Sequence, residues 1–110
     1  MQEVVWNRAC LKRIRNFPNE IRKEIGYHIF KLQMGEAIKI PHSRPMPSIG
    51  NGCHELRIKG EDGIFRVFYF MKLKNKIIVF HAFQKKTERT EKSDIEIARK
   101  NLKELIDEKN

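Results

Sequence analysis

The chain has 110 residues, with 23 Lys and Arg against 14 Asp and Glu, a net charge of +9 before any histidine protonates. Domains of roughly 60 residues and more commonly fold without disulfides or metals, so this length fits one domain with a core of its own. Hydrophobic residues at 40% and charged residues at 34% exclude a disordered polar tail, and no apolar run approaches the ~18 residues that a membrane-spanning helix needs. Met1 to Trp6 carries no basic segment followed by an apolar one, so the expected location is the cytoplasm, away from any membrane. Cys10 and Cys53 form no CxxC unit and are expected as two reduced thiols. The surplus of +9 predicts a polyanionic partner, of which nucleic acid is the commonest.

The first element is a short β-rich stretch ending at Val4, Val5 and Trp6, which Asn7 closes as a helix N-cap. Cys10, Leu11, Ile14 and Phe17 then recur at helical spacing with Arg8, Lys12, Arg13 and Arg15 between them, and the helix must stop before Pro18. Ile21, Ile25, Ile29 and Leu32 form the apolar stripe of a second helix that Gly35 ends, so the two predict an α-hairpin. From Gly35 to Cys53 the pattern dissolves among Pro41, Pro45, Pro47, Gly50 and Gly52. This is a long loop of the functional kind, part of which can pair as an edge strand. His54 to Lys59 alternates, and Gly60-Glu61-Asp62-Gly63 turns the chain into Ile64 to Leu73, apolar on nearly both faces except at Arg66 and therefore a central strand. After Lys74-Asn75-Lys76, a third arm runs from Lys76 to Phe83, followed by a basic connection from Gln84 to Lys92. Ser93 with Glu96 makes a capping box for a last helix whose stripe is Ile95, Ala98, Leu102, Leu105 and Ile106.

No metal or cofactor is expected. His28, His42, His54 and His81 are scattered, Cys53-His54 alone is too little for a metal site, and Gly50-Asn51-Gly52 lacks the lysine and strand-to-helix context of a phosphate loop. The informative cluster is cationic: Arg57, Arg66, Lys85, Lys86 and Arg89. A mid-strand arginine is costly to bury unless it meets an anion or lies at the floor of an open groove, and Arg66 is expected at such a groove. Alternation sends His81, Phe83 and Lys85 to one face, joining a titratable ring, a stacking platform and a cation, as single-stranded RNA sites do. The structural alternatives are a pairing of Arg66 with Glu55, a satisfied core role for His81, and a solvated loop for Lys85-Lys86.

In their order and spacing, Glu55-Leu56-Arg57-Ile58, Phe65-Arg66-Val67-Phe68-Tyr69, His81-Ala82-Phe83-Gln84-Lys85-Lys86-Thr87 and Ile97-Ala98-Arg99 strongly resemble the phage-related HigB-like branch of the RelE/ParE toxin superfamily. The resemblance spans nearly the whole chain and implies one RelE/HigB-like toxin domain over residues 1–110. The fold it implies is α+β, in the order β-α-α-β-β-β-α, with an N-terminal helical hairpin and a C-terminal helix on a small, mostly antiparallel sheet. It also implies the toxin of a type II toxin-antitoxin pair, with a small helix-turn-helix antitoxin as partner and the ribosome and mRNA as targets. The implied chemistry is endonucleolytic: a ribose 2′-hydroxyl attacks the adjacent phosphate, and cations can stabilise that transition state. Carried over residue by residue, the catalytic set is Arg57, Arg66, Lys85 and Lys86, with His81 and Glu55 as acid/base candidates. The RNA-binding set is Arg57, Arg66, Tyr69, Phe83, Lys85, Lys86 and Arg89.

Two departures bear on this assignment. Some relatives carry a catalytic Tyr or His at the extreme C-terminus, where this chain reads Asp107-Glu108-Lys109-Asn110, which leaves the general acid and base open. Where relatives tend to have proline after the Lys-Lys-Thr motif, this chain has Thr90-Glu91. The alternatives to an endonuclease are a ParE-like inhibitor that binds DNA gyrase and a non-catalytic basic nucleic-acid-binding domain.

Overall fold

In a computed structural model, which describes residues 1–85 and 91–109, the elements follow the chain as β1 (Glu3–Trp6), α1 (Arg8–Arg15), α2 (Asn19–Gln33), β2 (Ser43–Pro45), β3 (Cys53–Gly60), β4 (Gly63–Phe70), β5 (Lys76–Lys85) and α3 (Lys92–Lys109). The strands form one sheet in the order β1-β5-β4-β3-β2, antiparallel except for β1, which runs parallel to β5. The class is α+β as expected, with one strand more than the sequence pattern announces. Ser43–Pro45 leaves the proline-rich loop to pair with His54–Leu56 at the sheet edge, where a proline without an N–H is tolerated.

Each helix forms for a local reason. The Asn7 side chain accepts the Cys10 N–H at 2.8 Å and caps α1. Gly35, at φ +88°, ends the turn after α2 in a conformation that costs a side-chain-bearing residue. Ser93 does not cap α3, because the helix already begins at Lys92 and places Ser93 inside its first turn. Of the two helices expected as a hairpin, α1 lies mainly over β5 and α2 over β3, each using its apolar stripe against the sheet.

The sheet separates two cores. On one side Cys10 and Ile14 of α1 and Ile21, Ile25, Ile29 and Leu32 of α2 cover Leu56, Ile58, Phe65, Val67, Tyr69, Ile77 and Val79. On the other, Ala98, Leu102 and Leu105 of α3 cover Cys53, Phe68, Phe70, Ile78 and Phe80. Burial of one such side chain contributes about 1.5–3 kcal/mol, so both layers are needed to offset chain entropy. Cys10 and Cys53 fall in opposite layers, which explains why both are free thiols.

One irregularity positions the site. Between Phe68↔His81 and Tyr69↔Val79 the register of β4 and β5 slips, leaving Phe80 as an extra residue. Ile77 and Val79 face the α1–α2 layer, as strict alternation requires, but beyond the bulge His81 and Phe83 face the α3 side.

Candidate functional site

The α3 side of the sheet is built in rows across β3, β4 and β5. Cys53, Phe70 and Ile78 form an apolar row under α3. Next comes Glu55, Phe68 and His81, then Arg57, Arg66 and Phe83, and last Lys59, Ile64 and Lys85. Side chains two residues apart on a strand share a face, so polarity increases along one surface from the helix-covered end to the open end. Gly63 sits at that end with φ +138°, and a Cβ there would come within 2.6 Å of the Lys85 carbonyl oxygen. Only glycine lets the β3–β4 turn close against the end of β5.

Arg66 is 3% exposed, which overturns the expectation of an open groove. It donates from Nη1 to Glu55 Oε2 at 2.8 Å, and the Arg57 Nε stands 3.4 Å from Glu55 Oε1. A carboxylate that is 1% exposed thus lies between two guanidinium groups. An arginine can occupy a central strand here because the adjacent row supplies its anion. Arg57 is the less buried of the two, and it lines a cleft of about 450 Å³ together with Glu24, Pro41, His42 and Lys59.

A second cluster ties β5 to the start of α3. His81 Nε2 lies 3.0 Å from Asp94 Oδ1, while Lys85 Nζ reaches Asp94 Oδ2 at 3.1 Å and Glu91 Oε1 at 3.0 Å. Burial pushes the His81 ring below its ordinary value, and the hydrogen bond and charge of Asp94 only partly restore it. Burial raises Asp94, but its hydrogen bonds to His81 and Lys85 outweigh that and leave it below the usual carboxylate range. Burial works against the Lys85 ammonium, yet its bonds to Glu91 and Asp94 more than offset this and raise it. An ionised Asp94 only accepts, so the neutral ring carries its proton on Nε2 and Nδ1 is left as its acceptor.

Glu55, Arg57, Arg66, His81, Phe83 and Lys85 therefore share one face. Phe83 is buried among Phe68, His81 and the Lys85 ammonium, 5.6 Å from its ring centre, so it serves as packing and not as an open stacking platform. Tyr69 lies on the other face, in the α1–α2 layer, stacked on His54 at 5.2 Å with its hydroxyl 2.6 Å from the Ser43 hydroxyl. It cannot join the arginines because its position is odd-numbered from Arg66 on a regular strand. Lys86 and Arg89 fall outside the described residues. Sequence reasoning misses Asp94 and Glu91, since carboxylates at a helix start read as ordinary first-turn acids and only the fold brings them to Lys85.

Residues 12–103 match the family described as Phage derived protein Gp49-like (DUF891). The chain belongs to the Gp49-like family. No curated protein matches the Gp49-like sequence significantly. Among solved structures, the isolated E. coli RelE toxin superposes with a TM-score of 0.55 at 18% identity, over 96% of this chain and 99% of that one. A free E. coli RelE carrying two arginine-to-alanine substitutions gives 0.58 at 16% identity, over 94% and 97%. A chain of the intact E. coli RelBE toxin-antitoxin complex gives 0.55 at 19%, over 81% and 100%. The Gp49-like chain thus has the RelE fold along nearly its whole length. Among the described residues no group of three or more His, Cys, Asp or Glu side chains could hold a metal ion, and no helix is long and apolar enough to cross a membrane.

Proposed function

We propose that this Gp49-like protein is the toxin of a type II toxin-antitoxin pair, of the HigB-like kind, and that it cleaves mRNA on the ribosome in the cytoplasm. The observation that carries the reading is the pair of adjacent rows on one face of a RelE-like sheet, Arg57–Arg66–Phe83 beside Glu55–Phe68–His81, closed by Lys85 and Asp94. These groups suit transfer of a phosphoryl group within RNA. The 2′-oxygen forms a bond to phosphorus as the bond to the 5′-oxygen breaks, leaving a 2′,3′-cyclic phosphate and a 5′-hydroxyl. The 2′-hydroxyl proton passes to Nδ1 of His81, held neutral by its burial, and the departing 5′-oxygen takes a proton from water at the open end of the site, the hydroxide so formed being neutralised as His81 gives up the proton it took. Arg57 and Lys85 stand nearest that end and neutralise the charge that develops on phosphorus-bound oxygen. Arg66 acts through Glu55, holding Oε2 so that Oε1 stands beside Arg57. Lys86 and Arg89 are RNA-binding residues in this reading, and the ribosome supplies in-line alignment that a small domain cannot impose alone.

The cognate antitoxin, a small helix-turn-helix protein, completes the reading as partner. Purified protein added to programmed ribosomes should produce discrete cuts in the mRNA, read by primer extension, while the same RNA without ribosomes stays intact. In cells, pulse labelling should show protein synthesis stopping before DNA synthesis. Rapid cutting of naked RNA would remove the ribosome from the mechanism. Replication stopping first, with gyrase-dependent DNA breaks, would replace the endonuclease with a ParE-like activity.

A further inference from the structure

The outward face of α2 carries a feature that the sheet site does not use. Ile21, Ile25, Ile29 and Leu32 point into the core, so at 100° per residue the opposite crest consists of Lys23, Tyr27, Phe30 and Met34. Tyr27 is 57% exposed, Phe30 51% and Met34 58%. Spaced i, i+3 and i+7, they form a continuous apolar stripe on solvent, the pattern by which one helix receives another. Gly26 stands beside this stripe on an exposed helical turn, and a Cβ built there meets nothing within 4 Å. Mid-helix glycine weakens a helix relative to alanine, and here no neighbour in the chain demands it.

We infer that the crest of α2 around Gly26, Tyr27, Phe30 and Met34 is a docking surface for an amphipathic helix of an acidic protein partner. Charge selects that occupant. Lys23 lies on the crest one turn before Tyr27, with Glu20 close to a turn further back, and the Lys31 ammonium sits 5.0 Å from the Tyr27 ring centre, so two cations against one carboxylate border the apolar stripe. A second copy of this chain would bring its own surplus of +9 against the first, whereas a helix with carboxylates flanking an apolar seam meets both the lysines and the stripe. The inference is independent of the nuclease reading, since the crest lies on the outer side of the α1–α2 layer, across the sheet from His81 and Lys85.

The test uses the intact protein and a designed three-heptad helix with leucine at the seam and glutamate around it, alongside a counterpart with lysine for glutamate. Amide shift changes on adding the acidic helix should concentrate between Lys23 and Met34. Phe30→Ser with Met34→Ser should weaken binding at least about tenfold while leaving ribosome-dependent cleavage unchanged. Gly26→Leu gives the sharpest readout: it should raise the melting temperature through better helix propensity and still weaken binding, a combination that a purely structural glycine does not produce. Equal binding of the basic helix, shifts centred on Arg57 and Lys85, or unaltered affinity in the Gly26→Leu protein would overturn the inference. So would sedimentation showing a dimer that Phe30→Ser abolishes, which would assign the crest to a second copy, or a single-stranded RNA oligomer that shifts the same amides more strongly than the acidic helix.

Discussion

For Arg66 the sequence offers two explanations, an open groove awaiting phosphate and a pairing with Glu55, and the structure shows the second. Its place in an apolar strand demands an anion, and the demand is met from inside the chain by Glu55 on the neighbouring strand, not by an incoming phosphate. Cross-strand proximity of positions 55 and 66 is diagonal, one row apart, so the sequence can offer the pair only as an alternative until the hairpin register is known. Because both groups are buried, Arg66→Ala leaves a carboxylate facing a cavity with Arg57 as its remaining charge partner among the described residues. Breaking such a pair costs about 3–5 kcal/mol, which in a domain of this size lowers the melting temperature by roughly 10 °C or more. Calorimetry of Arg66→Ala against Arg66→Ala with Glu55→Gln checks the origin. The second substitution removes the stranded charge and should recover a large part of the loss. An unchanged melting curve in the single variant would return Arg66 to an open, ligand-facing role.

At the level of elements, the decisive feature is the bulge at Phe80, and hydrophobic patterning does not reveal it. Strict alternation from Ile77 and Val79 would have put His81, Phe83 and Lys85 in the α1–α2 layer, away from the arginines. One extra residue moves all three to the other face, beneath the start of α3. The helices and the three long strands were legible because their apolar stripes are long. The edge strand Ser43–Pro45 was legible only as a part of the loop able to pair, since its proline content hides its bounds. With His81 carried to α3, its protonation depends on Asp94 across the element boundary. Burial lowers the ring's pKa and Asp94 raises it, so His81 should titrate below 6.5 in NMR spectra, and Asp94→Asn should move it lower still by removing the opposing contribution. A rise in Asp94→Asn would mean that the carboxylate is not what supports the protonated ring.

Across the whole molecule, the titrating groups whose pKa is perturbed by folding divide by sign and define a window of stability. His28, His54 and His81 are all lowered from 6.5, each mainly by burial, with the neighbouring His42 adding to the effect on His28. The unfolded chain therefore binds these protons more readily than the folded one, so the stability they contribute is complete above 6.5 and is lost as pH falls through their folded values. Cys10 is raised by burial from 9.0 to about 12, Arg13 opposing weakly, and Cys53 by burial to about 11. Here the folded state holds its protons longer, so their contribution is complete below 9.0 and declines as pH rises through the folded values. Tyr69, raised by burial against its bond to Ser43, and Lys85, raised by its carboxylate partners against burial, act in the same alkaline direction. The melting temperature should therefore hold a plateau between about pH 6.5 and 9 and fall on both sides. His81→Gln should flatten the acid limb without touching the alkaline one, and Cys10→Ala should do the reverse at the cost of some core packing. Thermal unfolding followed from pH 5 to 10.5 at constant ionic strength decides it. A melting temperature that climbs as pH drops below 6 would show that the three histidines are stabilised in their charged form, the opposite of what their burial requires.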